Sequence, residues 1–195
     1  VQWLITAALV VVAAIASAGA VLLITDDDSN GPARNAGPSQ PALTAADVVA
    51  KPLFKDCTVE STPRQGAVET AVCKPSGMSP TSSPDEWEVS IFPNGRQLRQ
   101  AYAGEEAADG VVKRGGRCDG VSWGGEGPWA HGPGKPGGRR FCFFDGDDAV
   151  IVWTHEKLGQ PTHGDVLAVA REGGSDHTGL YAWWRFWHHR IGKAG

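Results

Sequence analysis

The segment Arg139-Arg-Phe-Cys-Phe-Phe-Asp-Gly-Asp-Asp-Ala-Val-Ile-Val-Trp-Thr154 decides the fold of this chain. Two apolar and aromatic runs flank Asp145-Gly146-Asp147-Asp148, and aspartate and glycine are common turn residues. Strand-forming runs on either side of such a turn predict a β-hairpin. The sequence therefore indicates a domain built on a sheet.

Further segments extend this sheet. Glu86–Phe92 alternates polar and apolar residues with a period of two, which predicts a half-buried strand. Short strands are also predicted at 53–61 and 67–73, on either side of a turn, and at 165–171. By contrast, 110–138 is rich in glycine, which predicts an irregular segment with many turns.

Helices are predicted beside the strands. Leu98 and Tyr102 recur at helical spacing within 95–107. Ser175 or Asp176 can cap a final helix. The apolar face of that helix is formed by Leu180, Trp183, Trp184 and Trp187. The order of the elements indicates an α+β fold, an antiparallel sheet with helices packed on one face.

The first residues differ from the rest in composition. Val1–Thr25 contains no charged side chain, and a helix of this length, roughly 37 Å, can cross a hydrocarbon core of about 30 Å. We therefore expect a single transmembrane helix at 1–25. A flexible juxtamembrane linker is expected at 26–50, where Asp, Ser, Gly and Pro are frequent, and a folded domain at 51–191.

The cysteines indicate the compartment of the folded domain. All of them follow the apolar segment, and none forms a CxxC pair: Cys57, Cys73, Cys118 and Cys142. An even number of cysteines behind a membrane span predicts two disulfide bonds and an extracytoplasmic location at the cell membrane. Pairing Cys57 with Cys73 would join the strands on either side of the 62–66 turn. The net charge of −4, without a basic block, argues against a nucleic-acid partner.

One motif suggests nucleophilic catalysis. Gly120-Val121-Ser122-Trp123-Gly124 matches the G-x-S-x-G nucleophile elbow, and Asp165 and His177 follow in the order of a catalytic triad. An elbow requires a strand before the serine and a helix after it. Neither is predicted around Ser122, which favours a glycine-rich loop.

The glycine-rich segment also holds two candidate ligand-binding residues, Trp123 and Trp129. Aromatic rings in loops can stack on a ligand, although the same rings can fill the edge of a core. His188 and His189 are adjacent, and adjacent side chains do not face one metal ion. Their position near the carboxyl end of the last helix favours an interaction with the helix dipole. The sequence predicts neither a metal site nor a cofactor.

The order of these features resembles a known family, the extracytoplasmic domains that follow the membrane span of actinobacterial-type transmembrane serine/threonine protein kinases. The resemblance covers about 53–184. It rests on both pairs of cysteines, the strand end Ile91-Phe92-Pro93, the helix with Leu98 and Tyr102, and the closing Leu180-Tyr181-Ala182-Trp183-Trp184. It implies a sensor domain with the bonds Cys57–Cys73 and Cys118–Cys142.

The resemblance further implies a non-enzymatic, membrane-anchored sensor or interaction domain. Its partner would be an extracellular ligand or a cell-envelope component, and ligand-dependent homodimerisation is one route by which a single span could carry a signal. The kinase motifs HRD, DFG and VAIK do not occur in this sequence. The alternatives are a small extracytoplasmic serine hydrolase using Ser122 and a structural cell-envelope protein.

Overall fold

A computed structural model describes residues 44–48, 54–75, 84–108, 116–156 and 165–191. The predicted membrane span at 1–25 lies outside these residues, as does most of the predicted linker at 26–50. No helix in the described part of the chain is long and apolar enough to cross a membrane.

The described residues form strands and helices around one sheet. In chain order these are α1 Ala45–Val48, β1 Phe54–Val59, β2 Glu69–Pro75, β3 Glu86–Phe92, α2 Gly95–Ala108, β4 Gly125–Gly132, β5 Lys135–Asp145, β6 Asp148–His155, β7 Asp165–Glu172, α3 His177–Trp187 and a 3-10 turn His188–Arg190. The seven strands lie in the order β1-β2-β3-β7-β6-β5-β4. Every neighbouring pair is antiparallel. Two meanders, β1–β3 and β4–β7, therefore join where β3 pairs with β7.

The predicted hairpin is confirmed as β5 and β6. Asp145 pairs with Asp148 across the turn, and Gly146 has a φ of +60°. The other predicted strands correspond to β1, β2, β3 and β7, and the predicted helices to α2 and α3. The predicted cap of α3 is Asp176, whose carboxylate accepts a hydrogen bond from the backbone N–H of Gly179 at 2.9 Å.

Helices cover both faces of the sheet, so the prediction that they pack on one face is wrong. Tyr102 of α2 packs in a cluster with Phe141, whereas Trp183 of α3 packs in a separate cluster with Trp153. Successive residues of a strand point to opposite faces, and β6 is buried at every position from 149 to 155. A strand buried in this way must be covered on both faces of the sheet. The unbroken apolar run in the sequence of β6 is typical of such a strand.

Two elements lie where the sequence predicted irregular chain. β4 falls inside the glycine-rich segment 110–138 and forms an edge of the sheet, where a proline such as Pro128 is tolerated. α1 falls inside the predicted linker 26–50. Its Ala45 and Val48 are buried in the core against the sheet. The folded part therefore begins earlier than residue 51.

Both predicted disulfide bonds are confirmed. Cys57 and Cys73 face each other in β1 and β2, with Cα atoms 4.0 Å apart. Cys118 lies ahead of β4 and bonds to Cys142 in β5, with Cα atoms 5.7 Å apart. The first bond joins neighbouring strands near one edge of the sheet, and the second fastens a connecting loop near the other edge.

Candidate functional site

Residues 116–124, which we call the disulfide loop, lead into β4 and are tethered to β5 by the Cys118–Cys142 bond. The base of the loop packs backbone against backbone. A Cβ atom added to Gly116 would overlap the carbonyl group of Gly124, and one added to Gly125 would overlap Gly116. Since no side chain fits between these backbones, both positions require glycine.

The tip of the disulfide loop is held by Asp119. Its carboxylate accepts hydrogen bonds from the backbone N–H groups of Val121 at 2.9 Å and Ser122 at 2.7 Å. These two bonds are the main reason that the pKa of Asp119 is lowered. From α3, the hydroxyl of Thr178 donates to the carbonyl oxygen of Gly120 at 3.2 Å. The tip thus has a fixed shape, with Val121 93% exposed at its end.

We group the exposed Val121 at this tip with the rings of Trp123, Phe144 and His177 and call these residues the loop patch. Trp123 is half-buried, and its indole N–H donates to the carbonyl oxygen of Phe143 at 2.8 Å. Its ring centroid lies 5.6 Å from that of His177 and 6.4 Å from that of Phe144. Phe144 is 40% exposed. The patch combines exposed apolar surface with a bonded, oriented indole, which suits contact with another molecule.

Of the two nominal triad partners of Ser122, only His177 lies near the disulfide loop. Ser122 is exposed in the disulfide loop and is followed by strand β4 rather than a helix. Asp165 begins β7, and His177 begins α3 beyond the other end of that strand. The eight residues of β7 separate Asp165 from Glu172 by roughly 23 Å along the strand axis, and His177 follows Glu172 in the chain. The three residues of the nominal triad are therefore not brought together.

Trp129, the second candidate ligand-binding residue, is part of the core. It is 5% exposed, and its indole N–H donates to the carbonyl oxygen of Thr154 at 2.9 Å. A Cβ atom on Gly137 of the neighbouring strand would overlap its ring. The burial of Trp129 favours the alternative that its ring fills the edge of the core rather than serving as a ligand platform.

Histidine rings surround Trp129 and form what we call the histidine cluster: His131, His155 and His188. Their ring centroids lie 4.7, 4.7 and 4.8 Å from that of Trp129. Burial lowers the pKa of His155 to about 3 and the pKa of His188 to about 4. Both imidazoles are therefore neutral at pH 7.

Each of these two neutral histidines contacts a tryptophan. Nε2 of His155 accepts a hydrogen bond from the indole N–H of Trp153 at 3.2 Å. The ring of His188 stacks on Trp184 with centroids 4.2 Å apart, and its Nδ1 lies 2.7 Å from the carbonyl oxygen of Trp184. His188 thus contacts the end of α3 as expected, but as a neutral hydrogen-bonding group rather than a cation.

Sequence reasoning identified Trp123 but not the residues that complete its surroundings, because Phe144 was not singled out and His177 was considered only as a nominal triad partner of Ser122. Phe144 lies one residue before the end of β5, where an alternating pattern does not indicate that the ring stays exposed. His177 carried no spacing signal. Both are brought to the disulfide loop by the sheet and α3, which are contacts between residues far apart in sequence.

Across the described ranges, no group of three or more His, Cys, Asp or Glu side chains is arranged to hold a metal ion. Comparisons with protein-family models, with curated proteins and with solved structures found no match to this chain.

Proposed function

We propose that this chain is the extracytoplasmic part of a membrane-anchored sensor or interaction protein, and that the loop patch is its docking surface. The observation that carries the proposal is the 93% exposure of Val121 at the tip of a loop fixed at both base and tip. An ordered loop loses little conformational entropy on binding, so a rigid apolar tip is well suited to a partner. Its partner would be an extracellular ligand or a cell-envelope component.

Two further features support this proposal. Disulfide bonds persist in oxidising compartments, and all four cysteines of the chain are paired. Binding residues commonly lie on loops held by a rigid scaffold, and here the scaffold is a sheet with helices on both faces. The apolar Val1–Thr25 segment would supply the anchor in the membrane.

The two alternatives receive less support. A serine hydrolase of the triad type would need a carboxylate to orient its base, and Asp165 lies at the opposite end of β7 from the start of α3, where His177 lies. A structural cell-envelope protein without a ligand would not need an ordered apolar loop tip.

Site-specific photo-crosslinking in intact cells tests the docking surface. A benzophenone amino acid is placed at Val121 in the full chain, and in a matched control at Val68, which is 65% exposed in the turn before β2. We expect a discrete crosslinked product at position 121, absent at position 68, and lost when Phe144→Asp is added. Absence of a product at 121, or equal products at both positions, would contradict the proposal.

A further inference from the structure

A small pocket of about 270 Å³ lies beside the disulfide loop. Its lining includes Arg117, Asp119, Glu126, Arg140 and Tyr181. Pockets for whole drug-sized molecules are generally larger than this. The space therefore suits one functional group, or the end of a larger ligand that extends into solvent.

Arg140 is the central cation of this pocket. Its guanidinium carbon lies 4.3 Å from the ring centroid of Trp184 and 5.7 Å from that of Tyr181. Burial lowers the pKa of Arg140, which means that its charge is incompletely solvated. Arginine nevertheless stays protonated at neutral pH. A guanidinium stacked on aromatic rings keeps N–H donors in its own plane for a further partner.

Two carboxylate residues line the pocket, and both carboxylates are engaged elsewhere. In the β4–β5 ladder Glu126 pairs with Phe141 and Arg140 with Gly127, so the Glu126 side chain lies on the opposite face of the sheet, where it pairs with Arg139. Asp119 accepts the two backbone hydrogen bonds of the loop tip. Neither Arg117 nor Arg140 belongs to the ion pairs among the described residues, whose cations are Arg64, Arg99, Arg139 and Arg171. The charged groups that remain in the pocket are the guanidinium groups of Arg117 and Arg140 and the carboxylate of Asp119. The pocket therefore has an excess of positive charge.

We propose that this pocket binds the oxyanion group of a ligand, a carboxylate or a phosphate, with Arg140 as the principal donor and Arg117 as the second. A planar guanidinium matches both groups by donating two parallel hydrogen bonds. The rings of Trp184 and Tyr181 hold Arg140 in place before the ligand arrives, which reduces the entropy lost on binding. Asp119 opposes the anion, but its carboxylate is turned to the loop N–H groups.

This site is separate from the loop patch and goes beyond the proposed docking function. Arg117 and Arg140 are not members of the loop patch, so failure of crosslinking at Val121 leaves the oxyanion site standing. Conversely, an empty pocket would leave the docking surface standing.

NMR of arginine side chains tests the oxyanion site directly. The full chain, labelled with ¹⁵N-arginine and held in detergent micelles, is titrated with inorganic phosphate and separately with acetate at constant ionic strength. We expect saturable shifts of the Nε–H signals of Arg140 and Arg117 with at least one probe. The exposed Arg96 on α2 is the internal control, and its signal should not move. The probe that saturates identifies phosphate or carboxylate as the ligand chemistry.

Substitutions define the role of each arginine in the titration. Arg117→Gln, at an exposed position, should weaken binding about three- to fivefold. Arg96→Gln should leave binding unchanged. Arg140→Lys keeps the charge but loses the planar guanidinium that donates two parallel hydrogen bonds. Binding should therefore weaken more than in Arg117→Gln. The proposal is overturned if neither probe gives a saturable shift, if Arg96 responds like Arg140, or if Arg117→Gln binds as tightly as the unsubstituted chain.

Discussion

Gly137 determines where the Trp129 ring can lie. The ring occupies the space that a Cβ atom on Gly137 would need, and its indole N–H is bonded to Thr154. Gly137→Ala should therefore displace a buried indole and lower the free energy of unfolding by about 1–3 kcal/mol. Gly132→Ala is the control, because nothing lies within 4 Å of its added Cβ atom. Equal denaturation midpoints for the two variants would contradict this packing.

His155 makes the stability of the domain depend on pH. Its pKa is about 3 in the folded protein, because burial disfavours the cation, and near 6.5 when unfolded. Because the pKa of His155 is lower in the folded protein than in the unfolded chain, the free energy of unfolding is highest above pH 6.5. It declines as the pH falls from 6.5 toward 3. Between pH 6.5 and 5 the unfolded chain gains protons that the folded chain does not, which should cost about 2 kcal/mol.

Urea unfolding at pH 7 and pH 5 measures this effect of His155. His155→Gln keeps an acceptor for the indole N–H of Trp153 but cannot bind a proton in this range. The variant should lose less stability than the unsubstituted chain between the two pH values. An identical loss in both proteins would show that His155 does not carry the dependence.

At the scale of elements, the disulfide loop is ordered by one carboxylate. Asp119→Ala should free the backbone N–H groups of Val121 and Ser122 and raise their hydrogen-exchange rates about tenfold, equivalent to ~1.4 kcal/mol. Asp119→Asn keeps an acceptor oxygen and should retain most of the protection. If both variants exchanged like the unsubstituted chain, the Asp119 turn would not be what fixes the tip.

The elements also show which parts of the fold could be predicted from sequence. β5 and β6 are indicated by two apolar runs on either side of turn residues, and α3 is indicated by its helical spacing and its cap. The structure confirms all three elements. β4 was missed because its glycines and Pro128 lower strand propensity, and only pairing with β5 makes the segment extended. Trp123 and Trp129 lie in equivalent sequence surroundings. Trp123 is half-exposed and bonded to Phe143, whereas Trp129 is buried and bonded to Thr154. Both partners come from strands distant in sequence.

At the scale of the whole molecule, the covering of both faces explains why single-face packing was the wrong expectation. α2 and α3 are each amphipathic, and either could have packed beside the other. The two helices lie on opposite faces because β6 has apolar side chains on both faces of the sheet, and both sets must be covered. The two disulfide bonds lie near the two edges of this sheet. Each is expected to stabilise the folded state by ~2–4 kcal/mol.

The redox state and accessibility of the cysteines in intact cells test the proposed extracytoplasmic domain most directly. The full chain is treated with a membrane-impermeant maleimide, before and after a membrane-impermeant phosphine reductant. We expect no labelled cysteine before reduction and labelled cysteine afterwards, with Cys57–Cys73 and Cys118–Cys142 peptides recovered from the unreduced protein. Free thiols before reduction, cysteines labelled only after cell lysis, or a Cys57–Cys118 peptide would contradict it.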